Sequence, residues 1–446
     1  MTRQRRTRYG VPVAPGALPL LGHTPRLLYG SLPWLLRCQD GDPVQRVKVG
    51  PRPAYLVCRP DLVHTLLVSH DFDKGGPLLD RGRDLLGDGL GTATDANHRR
   101  QRRLLQPAFT TARINAYATV MGEEAEALAQ SWQPGREIDL LADLTTTTMR
   151  VLIRALLPTI DPRQADQLTS HIRVLIAGVF IRAAIPHPWL HQLPTPGNRR
   201  FDRARTAARA AADQVVAAAH KSPCSGGVLT TLLVPADDAG IPAFTDEELR
   251  DQVITLLIAG AETLAATVAW LFHLLARHPH VEARLHAELH DTLAGATATA
   301  ADLPALPYTR DVLLEVLRLY PPAPLLTRVS TTDVVLGGHH FPAGTDFFFS
   351  AYQLQHGPDF PDAERFDPGR WSAPLTAAAR HAYIPFSSGR RKCLGDAFAL
   401  AEGVILISAI ASRRRLRPVP DSRVRPHVRL ALAPAGLRMI AEPLRR

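Results

Sequence analysis

One run of residues sets the scale of the fold. Thr245 and Glu248 form a capping-box pattern, and from there apolar residues recur at helical spacing to about Arg277, where His278-Pro279 stops them. At the helical rise such an element is on the order of 50 Å long, enough to cross the molecule. It is apolar on nearly every side, so other elements must wrap it. Its centre nonetheless reads Ala259-Gly260-Ala261-Glu262-Thr263. A glycine inside a helix costs about 1 kcal/mol relative to alanine, and a buried carboxylate costs more unless it is partnered. Two readings account for this: a kinked helix whose threonine bonds back to the preceding turn, or a segment that does chemistry.

Helical patterning dominates the remaining chain. It covers Thr111 to Lys221, broken at Pro158, at Pro186 to Pro188 and at Leu193 to Asn198, then His280 to Leu293 and Leu313 to Tyr320. Strand-like runs are short. Val44 to Cys58 alternates around Gly50-Pro51, while Val334 to Phe341 and Thr345 to Ser350 carry turns at Gly337-Gly338 and Pro342-Ala343-Gly344. Arg429 to Ile440 alternates around Pro434-Ala435-Gly436, a hairpin whose tip is placed near substrate. Phe72 to Ala96 is glycine-rich and loop-like, and loops of that length are functional or mobile. The expected class is mainly α with small β-sheets. Length alone allows two or three domains or one large fold, but Ser222 to Gly227 is too short a linker to separate independent units. Residues 1–446 are therefore read as a single domain.

Cys38, Cys58, Cys224 and Cys393 are scattered without paired spacing, which argues against a disulfide framework or a zinc site. No membrane span is expected, because no long apolar stretch is free of charge. The basic, polar Met1 to Gly10 is not a signal sequence either, and a cytoplasmic protein is the expectation. The net charge of +10 is almost entirely arginine, since Lys48, Lys74, Lys221 and Lys392 are the only lysines. A high-GC coding bias accounts for most of that total. The run His98-Arg99-Arg100-Gln101-Arg102-Arg103 could form a nucleic-acid stripe, but no interleaved aromatics or base-reading polar residues accompany it.

The stretch Phe386-Ser387-Ser388-Gly389-Arg390-Arg391-Lys392-Cys393-Leu394-Gly395 places a cysteine in a glycine-bracketed basic loop ahead of an apolar helix expected from Leu394 to Ile410. Gly389 and Gly395 permit conformations that a Cβ would forbid. A thiolate at Cys393 would gain from the helix N-terminus and from Arg391 and Lys392. Such a thiolate suits iron in a haem. A lone cysteine reads equally as a small buried hydrophobe.

The full pattern of Phe386, Gly389, Arg391, Cys393 and Gly395 resembles the haem-binding loop of the cytochrome P-450 family, and the remaining motifs follow that family's order over nearly the whole chain. The resemblance implies a mainly helical P-450 fold with heme b between the long helix and the cysteine loop. It makes Cys393 the iron ligand, with Phe386 packed near the sulfur and Gly389, Gly395 and Gly260 beside the cofactor. Arg391, Arg328, His98 and Arg102 then bind its carboxylates. Thr263 and Glu262 deliver protons to dioxygen, in a helix that opens locally over the haem. Leu264 stands where many members carry a second hydroxyl, which leaves pocket polarity open. Glu315, Arg318 and Arg370 form a structural triad that fixes the cysteine loop, with Arg365 competing for the third place.

The activity implied is a monooxygenase that takes two electrons and two protons, with the redox chemistry carried by the cofactor. No flavin, nicotinamide or reductase motif is present, so an acidic ferredoxin with its reductase is the expected donor. Arg390 and Lys392 should face it, with Arg99, Arg100 and Arg103 as further candidates. Val179, Phe180, Ala261, Ala323, Leu325 and Leu326 imply a pocket for an apolar small molecule. Pro19-Leu20-Leu21-Gly22 and the stretch around Leu193 to Arg200 are similar to members that oxidise terpenes; fatty acids and polyketides are the alternatives. A haem sensor or isomerase would need no proton relay, and a basic nucleic-acid-binding protein would need no haem.

Overall fold

Apolar periodicity and caps decide where the helices lie. A computed structural model describes the chain except for residues 1–9, 50–51, 159, 185–188, 222–226, 234–242, 429 and 445–446. Cys224, the Gly50-Pro51 turn, Pro186 to Pro188 and most of the Ser222 to Gly227 linker are outside the described residues, as is the side chain of Phe180. The described chain separates into two compact units. One comprises Met1–Asp80, Leu317–Phe366 and Ala373–Cys393; the other comprises Arg81–Val316, Asp367–Ser372 and Leu394–Arg446.

The first unit is built on a five-stranded sheet. Its strands run Val44–Val49, Arg52–Val57, Asp346–Phe349, Leu326–Ser330 and Phe72–Asp73 across the sheet. The first two pair antiparallel, as the alternation predicts, and Asp346–Phe349 joins Arg52–Val57 in parallel. Tyr55, Phe72, Phe341, Phe347 and Phe349 fill the adjoining core with Leu66 and Leu67 from the helix Pro60–Val68. Val334–Leu336 and His339–Phe341 form the expected small hairpin.

The second unit is organised around the long helix, Asp246–Leu275. Its capping box is present: Thr245 Oγ1 accepts from the Glu248 amide and Glu248 Oε2 from the Thr245 amide. It stops at Leu275, short of Arg277. Among the described residues it is the one helix long and apolar enough to cross a membrane, yet 78% of its apolar stretch is buried inside the protein, as befits a core helix. The helices Leu140–Leu156, Pro162–Ala184 and Pro196–Lys221 pack in the same unit. Gly178 lets two of them approach, since a Cβ there would lie 2.5 Å from the Phe201 ring.

Two expectations fail here. Leu432–Ala435 pairs with Arg425–Val428, whereas Met439–Pro443 joins a sheet with Arg414–Pro418 and Glu137–Ile138. Pro434-Ala435-Gly436 is therefore the link between two sheets and not a hairpin tip. The segment Phe72 to Ala96 is no loose loop either: it contains the helix Pro77–Leu86, and the residues after it are tied down by hydrogen bonds.

Candidate active site

In the first unit, the cysteine loop is shaped by its own backbone. The Cys393 amide donates to the Phe386 carbonyl at 2.9 Å and the Lys392 amide to that of Gly389. Gly389 has φ +66°, and a Cβ there would lie 2.0 Å from the Leu67 carbonyl oxygen, so only glycine fits. Ser387 also takes a left-handed φ of 59°, a conformation non-glycine residues rarely adopt. Cys393 is exposed.

The arginines beside it divide their work. Arg391 reaches Asp73 Oδ1 with Nη2 and, at 3.1 Å, with Nε. Arg390 donates to the carbonyls of Ser69 and Phe72 at 3.2 and 3.1 Å. That guanidinium ties the loop to the sheet edge and is half-buried, whereas Lys392 is exposed. Arg328 is 3% exposed, and burial first and Arg391 second lower its pKa to about 10. Its Nη1 donates to the Thr327 carbonyl, while Nη2 is buried with no hydrogen-bond partner among the described residues. Lys74 joins them, its pKa lowered to about 8 by burial and then by Arg328 and Arg391. Lys74, Arg328 and Arg391 thus lie within electrostatic reach of Asp73. Leu325 and Leu326 are partly buried against the apolar clusters of this unit, and Ala323 is half-buried.

In the second unit, Gly260, Ala261, Glu262 and Thr263 occupy one turn of an uninterrupted helix. The expected local opening is not seen. Thr263 Oγ1 donates to the Ala259 carbonyl at 2.8 Å, the back-bond that sequence alone could not separate from a catalytic role. Glu262 is buried. Gly260 has a packing reason of its own: a Cβ would meet Leu152 Cδ1 at 2.7 Å. Thr148, which sequence reasoning missed, donates from Oγ1 to the Ala261 carbonyl at 2.7 Å. Leu264 is buried and packs at Gly403. Val179 and Ala261 are buried.

His98 is buried and Arg102 half-buried on the helix Asp95–Leu105. Arg100 pairs with Glu248 and lies over the Phe244 ring, so it is no free docking charge. Arg99 is exposed beside Asp95 at 3.5 Å. Helix Asp396–Ala411 begins three residues after Cys393, later than Leu394. Gly395, its N-cap, has φ −97°, which any residue adopts. The expectation of a special conformation there is wrong, but the nearest atom to a Cβ would be Phe109 Cε1 at 3.9 Å, leaving its face open.

Glu315 is fully buried. It accepts from the Asp367 amide at 3.1 Å and from Trp371 Nε1 at 3.0 Å, with Arg370 Nε at 3.5 Å. Trp371 is a partner that sequence did not assign. Arg318 donates to the carbonyls of Gln355, Ala363 and Arg365. Arg365 thus takes part through its backbone.

A family model for cytochrome P-450 matches residues 12–440. The chain belongs to the cytochrome P-450 family. Relatives extend over almost its full length. Cyclooctat-9-en-7-ol 5-monooxygenase of Streptomyces melanosporofaciens is 42% identical over 435 residues, covering 96% of this chain and 95% of the relative. Cyclooctatin synthase of the same organism is 40% identical, covering 97% and 95%. Pentalenene oxygenase of Streptomyces avermitilis is 37% identical, covering 93% of each. This P-450 is accordingly a monooxygenase whose cofactor is heme b. The residues present fit that group. An exposed thiol stands in a loop held by its own backbone hydrogen bonds, and the buried Arg328, its Nη2 unsatisfied among the described residues, suits a haem carboxylate.

Proposed function

We propose that this P-450 oxidises a terpenoid skeleton in secondary metabolism. The observation that carries the reading is the near-complete overlap with bacterial relatives named for cyclooctatin and pentalenene. The apolar Val179, Ala261, Leu325 and Leu326 support it, since they offer no charge to hold an acid or amine. Fatty acids and polyketides remain the competing substrates.

When bound, haem supplies the dioxygen and electron-transfer chemistry; the chain's own residues do the rest. Cys393 ligates the iron. Arg328, Arg391, His98 and Arg102 hold the carboxylates, and Lys74 adds to their field. Phe386 packs by the sulfur, and Gly389 keeps the loop in place. Gly395 leaves its face free for the macrocycle, while Gly260 lets the helix Leu140–Leu156 approach. Thr263, whose hydroxyl rests on the Ala259 carbonyl, and the buried Glu262 move protons inward. Glu315, Arg318 and Arg370 brace the segments leading to the loop. Ala323 adds a further small apolar side chain. An acidic ferredoxin with its reductase brings electrons to the face carrying Lys392, and the enzyme works in the cytoplasm.

Titrating the ferric protein with pentalenene, a long-chain fatty acid and a macrolide, and following the spectral shift on loss of iron-bound water, tests the substrate class. Tight binding of the hydrocarbon is expected; binding of the fatty acid alone overturns the terpenoid reading. A Cys393→Ala variant that keeps the pigment and the thiolate band of its reduced, carbon-monoxide-bound spectrum overturns the ligand.

A further inference from the structure

Between the helices Pro77–Leu86 and Asp95–Leu105, glycines at 87, 89 and 91 press onto one face of the long helix. A Cβ on Gly87 would lie 2.1 Å from Asp251 Oδ2, one on Gly89 2.1 Å from Thr255 Oγ1, and one on Gly91 3.3 Å from Thr255 Cγ2. Asp251, Gln252 and Thr255 fall on that face within about one turn. The backbone is fastened there by two side chains: the Asp88 amide donates to Asp251 Oδ2 at 2.9 Å, and the Leu90 amide to Gln252 Oε1 at 3.0 Å.

The same loop is fastened at its other side. Asp88 accepts from Asn97 Nδ2 with Oδ2 and from Gln101 Nε2 with its carbonyl, both donors lying on the helix that carries His98 and Arg102. Thr92 Oγ1 donates to the Gly87 carbonyl and Arg83 Nη2 to the Thr92 carbonyl, which closes the loop on itself.

Polarity at this place is costly. Asp251 is 5% exposed and Gln252 fully buried, and Gln252 Nε2 and Thr255 Oγ1 have no hydrogen-bond partner among the described residues. An apolar side chain at 252 would avoid that cost. What the polar residue gains is the contact with the loop.

We propose that Asp251 and Gln252 are positioning residues for the oxidation. They clamp the 87–91 backbone to the long helix, and through Asp88 they fix the helix bearing His98 and Arg102 relative to Glu262 and Thr263. Neither residue touches the reacting atoms. The inference rests on His98 and Arg102 holding the haem.

The test uses the haem-loaded protein with Asp251→Ala/Gln252→Leu beside Asp251→Asn, which keeps an acceptor oxygen. Hydrogen exchange at the Asp88 and Leu90 amides should be about tenfold or more faster in the double variant. Haem transfer to apomyoglobin should accelerate by a similar factor, about tenfold, and Asp251→Asn should stay within about threefold of wild type. Wild-type exchange at both amides in the double variant overturns the clamp, and faster exchange with unchanged haem transfer overturns its link to the haem-binding helix. Should the double variant misfold, Gln252→Leu alone makes the same comparison at Leu90. A wild-type chain that takes up no haem would defeat the haem reading instead, and the exchange measurement would still decide the clamp.

Discussion

Replacing Gly389 by Ala separates what the polypeptide demands from what the cofactor demands. At φ +66° an L-residue costs about 1–2 kcal/mol more than glycine, offset by about 0.4–1 kcal/mol of lost unfolded-state entropy. The larger cost is steric. The new Cβ would stand 2.0 Å from the Leu67 carbonyl oxygen and 2.8 Å from its carbon, both backbone atoms of the helix Pro60–Val68 that no rotamer change can move. Opening that contact shifts the loop by more than about an ångström, and overpacking of this kind costs about 1–3 kcal/mol further. A net loss of about 3 kcal/mol lowers the thermal midpoint by about 3–6 °C in a chain of this length. It also displaces the Cys393 amide from the Phe386 carbonyl. Gly395→Ala meets no such obstacle, with φ −97° and 3.9 Å of clearance. We therefore expect Gly389→Ala to lose both stability and haem, and Gly395→Ala to keep its stability while losing haem affinity. The assays are far-ultraviolet melting, haem per chain and the reduced carbon-monoxide spectrum. A fully loaded Gly389→Ala protein that melts with the wild type would refute the steric argument.

Other substitutions probe the second unit. Burial alone would raise the pKa of Glu282, but the nearby His286, the two hydrogen bonds from Arg417 and the charges of Arg417 and Arg415 hold it at about 2 instead of 4.5. This depressed carboxylate stabilises the fold above pH 4.5 and stops doing so as pH falls toward 2. Glu282→Gln should cost about 2–3 kcal/mol at pH 7, below the linkage ceiling because water screens part of the site, and the gap in urea midpoint from wild type should close in acid. Thr148→Val removes the hydroxyl from the Ala261 carbonyl and should cost about 1 kcal/mol in denaturant titration; an unchanged midpoint would deny that bond any net value. Gly260→Ala gains about 1 kcal/mol of helix propensity but crowds Leu152, so it should destabilise the wild-type chain yet stabilise a Leu152→Ala variant relative to that variant alone. A double-mutant cycle showing no coupling would contradict the contact.

The sequence made local features legible and long-range pairings illegible. The long helix announced itself through periodicity and a capping box that need only neighbouring residues. The hairpin at Val334 to Phe341 did so through its glycines. The cysteine loop stood out because five positions of fixed residue type and spacing formed one pattern. Asp73 could not be read in the same way, since its partner Arg391 is 318 positions away. Thr148 and the carbonyl it reaches are 113 apart, and the Asp88 amide and Asp251 are 163 apart. Adjacent arginines were equally opaque: nothing local says that Arg390 bonds two carbonyls while Lys392 faces water. Lys74 left a faint signal as one of only four lysines in an arginine-rich chain.

The cysteine loop joins two requirements that composition alone would set against each other. Lys74, Arg328 and Arg391 repel one another, and burial lowers the pKa of both Lys74 and Arg328. Such a cluster survives because Arg391 is paired with Asp73 and Arg390 is spent on the carbonyls of Ser69 and Phe72. These contacts hold the loop to the sheet edge before any cofactor enters. On the reading proposed above, the carboxylates of haem would meet Arg328 and Arg391, so side chains that order the loop would also favour its occupant. Swapping Arg391 for lysine would keep the charge yet lose the paired Nε and Nη2 hydrogen bonds to Asp73, which favours arginine over lysine at position 391.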